Sequence, residues 1–163
     1  MNIEIMEKGQ SSTLNQFKTL LRFSGSFNII AASLFIFPVL FEHYLQFWNT
    51  LNSLCGFENA LITIPADPFH ALFINTAGID LVLIGAIILY VSRDPLRNKG
   101  IIIMNAMGRT LFTIFTIYYH ITSDLLFLFV IIGIIDLCIS LGFIYFLWKI
   151  NKNTAKQQDI IQI

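Results

Sequence analysis

The chain has 163 residues, with ten basic and ten acidic side chains and a formal net charge of zero. Apolar residues make up 56% of it and charged residues only 12%, about half the ~25% usual in soluble domains. This balance excludes a disordered chain, a disulfide scaffold and a polycationic nucleic-acid binder, and it disfavours a soluble enzyme.

The length suits one domain, residues 1–163, and the hydropathy pattern makes it a membrane domain. About 20 apolar residues of helix cross a bilayer core of about 30 Å. Four stretches meet that length, with spans expected over about 20–47, 69–92, 100–121 and 125–149. The first is purest over residues 23–41 and weaker up to 48. None alternates with a period of two, so the segments read as helices rather than barrel strands. The first starts too far in, and is too long, for a cleaved signal peptide. The fold class is therefore all-α, an integral membrane four-helix bundle. The polar ends, 1–16 and 151–163, read as peripheral.

Local signals mark the boundaries. Asp67-Pro68 and Asp94-Pro95 each read as an N-cap followed by proline at the first helical position, ahead of the second and third spans. Thr122-Ser123-Asp124 offers capping groups to the fourth. Within the connection over 49–68, residues 51–65 are rich in Leu, Phe, Ala and Ile with only Glu58 charged, so it is expected to lie along the outer interface or fold over the bundle.

Basic residues set an expected orientation. Lys8, Lys18 and Arg22 precede the first span, Arg93, Arg97 and Lys99 separate the second from the third, and Lys149, Lys152 and Lys156 follow the fourth. The other two connections lack Lys and Arg, so both termini are expected on the cytoplasmic side. The absence of a presequence favours a bacterial inner membrane. Ile79-Asp80-Leu81 recurs as Ile135-Asp136-Leu137, compatible with two similar helical hairpins or with coincidence in an Ile/Leu-rich chain.

The stretch Leu20-Leu21-Arg22-Phe23-Ser24-Gly25, opening a compact four-span chain, resembles the DoxX-like group of small bacterial membrane proteins. There an arginine followed by glycine opens the first span, here Arg22 and Gly25. The group's further glycine and lysine have no counterpart at Ala31-Ala32-Ser33 and Phe37-Pro38. The resemblance implies the four-span layout; some members are linked to quinone-coupled oxidation or serve as accessory subunits.

Charge at mid-depth is the informative chemistry. Asp80, Arg109 and Asp136 all fall within about two residues, roughly 3 Å, of the centres of their spans. Each unpaired charge there costs at least about 2.5–3.5 kcal/mol, so the three are expected to face inward and meet. Asn105, Arg109, Thr113, Thr116 and His120 form one polar stripe, Thr76 lies a turn from Asp80, Ser140 a turn from Asp136, and Asn28 adds an amide from the first span. One Arg against two Asp leaves a surplus negative charge, which calls for a proton or a cation. The cluster reads either as a proton, cation or headgroup site, or as an ion pair that fixes helix register.

His43, His70 and His120, with Asp124, gather near the outer boundary and form a candidate metal site, or an axial haem pair, if packing brings them together. Interfacial anchoring is the competing reading. Cys55 and Cys138 lie at different depths and form no CxxC. No phosphate loop, GxSxG or HExxH occurs. The phenylalanine-rich last two spans suit packing, or a slot for a lipid or quinone.

The expected function is a non-enzymatic inner-membrane protein that contacts membrane lipids. It would bind a hydrophobic small molecule or act as accessory subunit of a larger membrane complex. The alternatives are a proton- or cation-coupled carrier or channel subunit working as a homo-oligomer, and a membrane enzyme using the outer histidines. No ligand, metal or quinone is specified by the residues themselves.

Overall fold

A computed structural model describes residues 2–57 and 67–161. Among the described residues the chain is helical: α1 (Asn2–Ile36), α2 (Pro38–Leu54), α3 (Pro68–Val91), α4 (Lys99–Ser123) and α5 (Phe127–Ile161). Four stretches are long and apolar enough to cross a membrane: Ser11–Ile36, Pro68–Val91, Lys99–Ser123 and Phe127–Asn153. Among the described residues thirty-seven large apolar side chains are exposed, far too many for water to tolerate on a bundle of this size and suited to an acyl solvent.

The first apolar run divides in two. Phe37 adopts an extended backbone (φ −111°, ψ 120°) and Pro38 opens α2, because a residue before proline is driven out of the α region. The expected span over 20–47 is thus replaced by α1 ending at Ile36 and a separate α2. In α2, Phe41 and Leu45 are buried while Glu42, His43 and Gln46 are exposed. Aromatic contacts hold it against the neighbouring helix ends: Phe35 packs edge-on to Tyr44 at 5.1 Å, and Trp48 lies 6.1 Å from Phe129 of α5. The connection expected over 49–68 is therefore helical up to Leu54, and its residues 58–66 lie outside the described residues.

Both polar ends are helical among the described residues. The first helix starts at Asn2, and Thr13 and Phe17 are buried. Phe17 stacks on Phe146 at 5.5 Å and meets Phe143 edge-on, which secures the N-terminal half of α1 against α5. Phe17, Leu21, Ile88, Val91, Ile102, Phe143 and Ile150 make a core at that end, beside the turn over 92–98.

Caps explain where the helices begin. Asp67 starts α3 as expected: its Oδ1 accepts from the amides of Phe69 and His70, both at 3.1 Å. Asp94-Pro95 does not start α4. Asp94 Oδ1 instead accepts from the Arg97 amide at 3.3 Å inside a run of turns, and Lys99 opens the helix. Thr122-Ser123-Asp124 closes α4 rather than opening α5. Asp124 takes a left-handed conformation (φ 53°) and the Leu125 amide returns to the Tyr119 carbonyl at 3.4 Å, a Schellman-type stop.

Two antiparallel pairs dominate, α1 with α3 and α4 with α5. The first pair meets through glycine: a Cβ on Gly85 would stand 2.8 Å from the Gly25 carbonyl oxygen, and one on Gly25 2.8 Å from that of Gly85. A Cβ on Gly78 would stand 2.8 Å from that of Phe35. These contacts leave no room for a side chain, so they fix which face of α3 points inward.

Candidate functional site: a guanidinium knot and an exposed acid

Arg109 is buried where α1, α4 and α5 meet, with its side chain 5% exposed. Its Nη1 donates to the Asp136 carboxylate of α5. Nη2 donates to Ser24 Oγ at 2.8 Å and to Asn28 Oδ1 at 2.7 Å, both on α1. Nε donates to Asn105 Oδ1 at 3.1 Å, one turn earlier on α4. Four of the five guanidinium N–H donors are directed at acceptors, and the rigid fork of arginine makes this three-helix convergence possible where lysine would offer a point charge.

Around this knot, α4 and α5 are joined by weaker hydroxyl–carbonyl bonds. Thr113 Oγ1 donates to the Gly133 carbonyl at 2.7 Å or to its own Arg109 carbonyl at 3.0 Å. Ser140 Oγ sits 3.1 Å from the Ala106 carbonyl and 3.0 Å from that of Asp136. A Cβ on Gly133 would meet Thr113 at ordinary van der Waals distance, 3.4 Å from its Cα, so this contact does not itself require glycine.

Asp80 does not join this cluster. It is exposed on α3, as is Thr76, and neither makes a hydrogen bond or ion pair among the described residues. Two physical reasons combine. Asp80 lies about 200° around the helix from Gly78 and about 140° from Gly85, the glycines that face α1. Depth separates it as well: Arg109 bonds Ser24 and Asn28, which flank Gly25, and Gly25 packs on Gly85. Asp80 is therefore five residues, roughly 7–8 Å, from the level of the guanidinium.

The expected charge surplus disappears accordingly. The knot holds one guanidinium and one carboxylate and is neutral, so it needs no extra proton or cation. The recurring Ile-Asp-Leu strings place their acids in opposite surroundings, Asp136 inside the bundle and Asp80 outside it. Ser24 was the member not anticipated. Its signal was available, because Ser24 and Asn28 are four apart and share a face of α1.

The histidines do not converge. His43 is exposed on α2. His70 pairs locally with Asp67, and His120 Nδ1 donates to the Leu125 carbonyl at 2.6 Å, which braces the end of α4. Asp124 is exposed and serves as a helix stop. Among the described residues no three His, Cys, Asp or Glu side chains are grouped as metal ligands would be. The carboxyl of Asp67 is held below its usual range, first by the backbone N–H of His70 and then by the His70 ring. Cys55 and Cys138 are both free and exposed.

One open groove of about 920 Å³ lies along the first half of α1. Ser12, Asn15, Gln16 and Thr19 rim it, and Leu20, Phe23 and Phe146 floor it. No protein-family model, curated protein or solved structure matches the chain.

Proposed function

We propose that the chain is an accessory subunit of a bacterial inner-membrane complex, a compact non-enzymatic bundle with both termini on the cytoplasmic side. The orientation rests on the basic residues flanking the spans, and on three of them lying over aromatic rings at the same end: Arg93 on Tyr90, Lys149 on Tyr145 and Lys152 on Trp148. The internal polar chemistry is consumed in holding helices together, because Arg109 is committed to Asp136, Ser24, Asn28 and Asn105. A small layout of this kind, with the Arg22/Gly25 opening, is also what the DoxX-like resemblance implies.

The observation that carries the reading is Asp80, an exposed acid at the middle of α3. A charge near the centre of a spanning helix costs about 2.5–3.5 kcal/mol on insertion scales, a penalty that a second protein removes by covering it. Extraction into polymer-bounded native discs, followed by mass measurement, tests the reading. The chain is expected in an assembly with a second protein, and Asp80→Asn is expected to release it. A chain recovered only as a monomer with lipids refutes the accessory role.

The groove supports a second reading, capture of an amphiphile. Neutral hydroxyl and amide groups along its rim, over an apolar floor, suit a lipid-like headgroup and the first carbons of its chain. Thr19→Leu is expected to reduce the lipid that co-purifies, and an unchanged lipid complement counts against it.

A further inference from the structure

The exposed face of α3 has an order of its own. Phe73, Thr76, Asp80, Leu83 and Ile87 follow one another at spacings of three and four, and all are exposed. Spacing of this kind suits a second helix whose side chains interlock along a left-handed crossing. Leu72, Ile79, Leu81, Ile84 and Tyr90 of α3 are exposed as well, so the acid rather than the apolar spacing distinguishes this seam. The acid sits in the middle of the seam with apolar side chains above and below. Thr76 stands one turn away on the same line.

The charge decides what fits. A second copy of the chain in the same membrane, related by a twofold axis along the normal, would bring equal depths together and set Asp80 against Asp80. It offers no cation in exchange. Arg109 is 6% exposed and bound to Asp136 in its own bundle. Arg22 is exposed, but the Gly25–Gly85 contact puts Asp80 level with residue 30, so Arg22 stands eight residues, about 12 Å, away in depth. Facing acids repel, and opposite charge removes the cost of isolation in hydrocarbon.

We propose that the α3 seam docks a transmembrane helix of a different protein, one that carries a lysine or arginine at mid-span to meet Asp80. The inference rests on the accessory-subunit reading and names the chemistry of its partner. The apolar seam residues supply packing, and the ion pair fixes depth and rejects helices without a cation. Thr76 offers its hydroxyl oxygen as a second acceptor for the same ammonium or guanidinium.

The test uses the full-length chain in phosphatidylcholine–phosphatidylglycerol vesicles, labelled with a fluorescent donor at Cys55 in a Cys138→Ser background. Acceptor-labelled leucine-rich peptides of about 20 residues carry Lys, Leu or Glu at the centre. Energy transfer to the Lys peptide is expected to show about threefold to thirtyfold tighter association than to the Leu peptide, the range of interhelical polar contacts in membranes. Asp80→Asn is expected to bring the Lys peptide down to the Leu level, Asp80→Glu to keep it, and Asp80→Lys to transfer the preference to the Glu peptide. The Asp80 side chain is exposed and has no hydrogen bond or ion pair among the described residues, so these variants are expected to leave the fold unchanged, and retained burial of Phe17 against α5 verifies that. Equal association of Lys and Leu peptides overturns the proposal, as does a Lys preference that survives Asp80→Asn. Transfer between donor- and acceptor-labelled copies of the chain that vanishes in Asp80→Asn also overturns it, by assigning the seam to self-association. Loss of the native assembly with peptide discrimination intact would retire the accessory role alone; the reverse pattern would retire the charge rule alone.

Discussion

Replacing Arg109 by methionine removes the guanidinium while keeping an unbranched apolar stem in the space between α1, α4 and α5. Three bonds to neutral acceptors are lost, those to Ser24, Asn28 and Asn105. At about 0.6 kcal/mol each, the mean for interhelical bonds in a membrane, they amount to about 2 kcal/mol. Asp136, with its side chain 14% exposed, is left without its cation, which adds about 2.5–3.5 kcal/mol. The total, about 4.5–5.5 kcal/mol, lies at the upper edge of the ~3–5 kcal/mol usual for breaking a buried pair by removing one partner. Asp136→Leu in the same background eliminates the stranded acid, so the double variant is expected to lose only about 2 kcal/mol. The second substitution should therefore rescue about 2.5–3.5 kcal/mol of the Arg109→Met loss, measured by reversible unfolding in bicelles. A rescue below about 0.5 kcal/mol would refute the claim that these groups shield one another inside the bundle.

Further outcomes follow from the same geometry. Gly85→Ala is expected to destabilise the protein by about 1–3 kcal/mol, because its Cβ would press on the Gly25 carbonyl at 2.8 Å and α1 cannot retreat without opening the pair. Gly108→Ala, with nothing within 4 Å of the added carbon, is expected to be neutral or to gain up to about 1 kcal/mol, and thermal unfolding distinguishes the two. Asp80→Leu is expected to raise insertion efficiency and the stability of the isolated chain while it weakens assembly, a pairing that a purely structural acid would not show. The lowered titration of Asp67 gives a pH dependence of definite sign. Its contribution to the first turn of α3 is fully present above the ordinary carboxylate range and disappears as pH falls through the lowered value. Protection of the Phe69 and His70 amides against hydrogen exchange, taken relative to the intrinsic rate at each pH, should therefore fall on acidification, and Asp67→Ala should show low protection at every pH.

Helix type and the existence of four spanning stretches were legible because they depend on local quantities. Length, apolar content and the cost of unpaired amides in hydrocarbon restrict such runs to helices, whatever their neighbours do. The Asp67 cap was equally local. Boundaries that depend on competition were not: Asp94 had a turn amide at Arg97 within reach, and Asp124 was better placed to stop α4 than to start α5. The break at Phe37–Pro38 was written in the proline, yet the apolar run continued past it and concealed the change of helix.

Within the site, the sequence identified Arg109, Asp136, Asn28 and Asn105 as groups that must be sheltered, because mid-span depth alone makes them costly. It could not assign partners. Which acid meets the arginine depends on the rotation of each helix about its axis, and that rotation is set by close contacts at Gly25, Gly78 and Gly85. Those glycines turn α3 so that Asp80 faces away from the bundle, while Asp136 of α5 faces in to Arg109. Depth belongs to the linear pattern of residues; azimuth is decided only where two backbones touch, since a helix rotated by half a turn keeps its hydropathy and loses every contact.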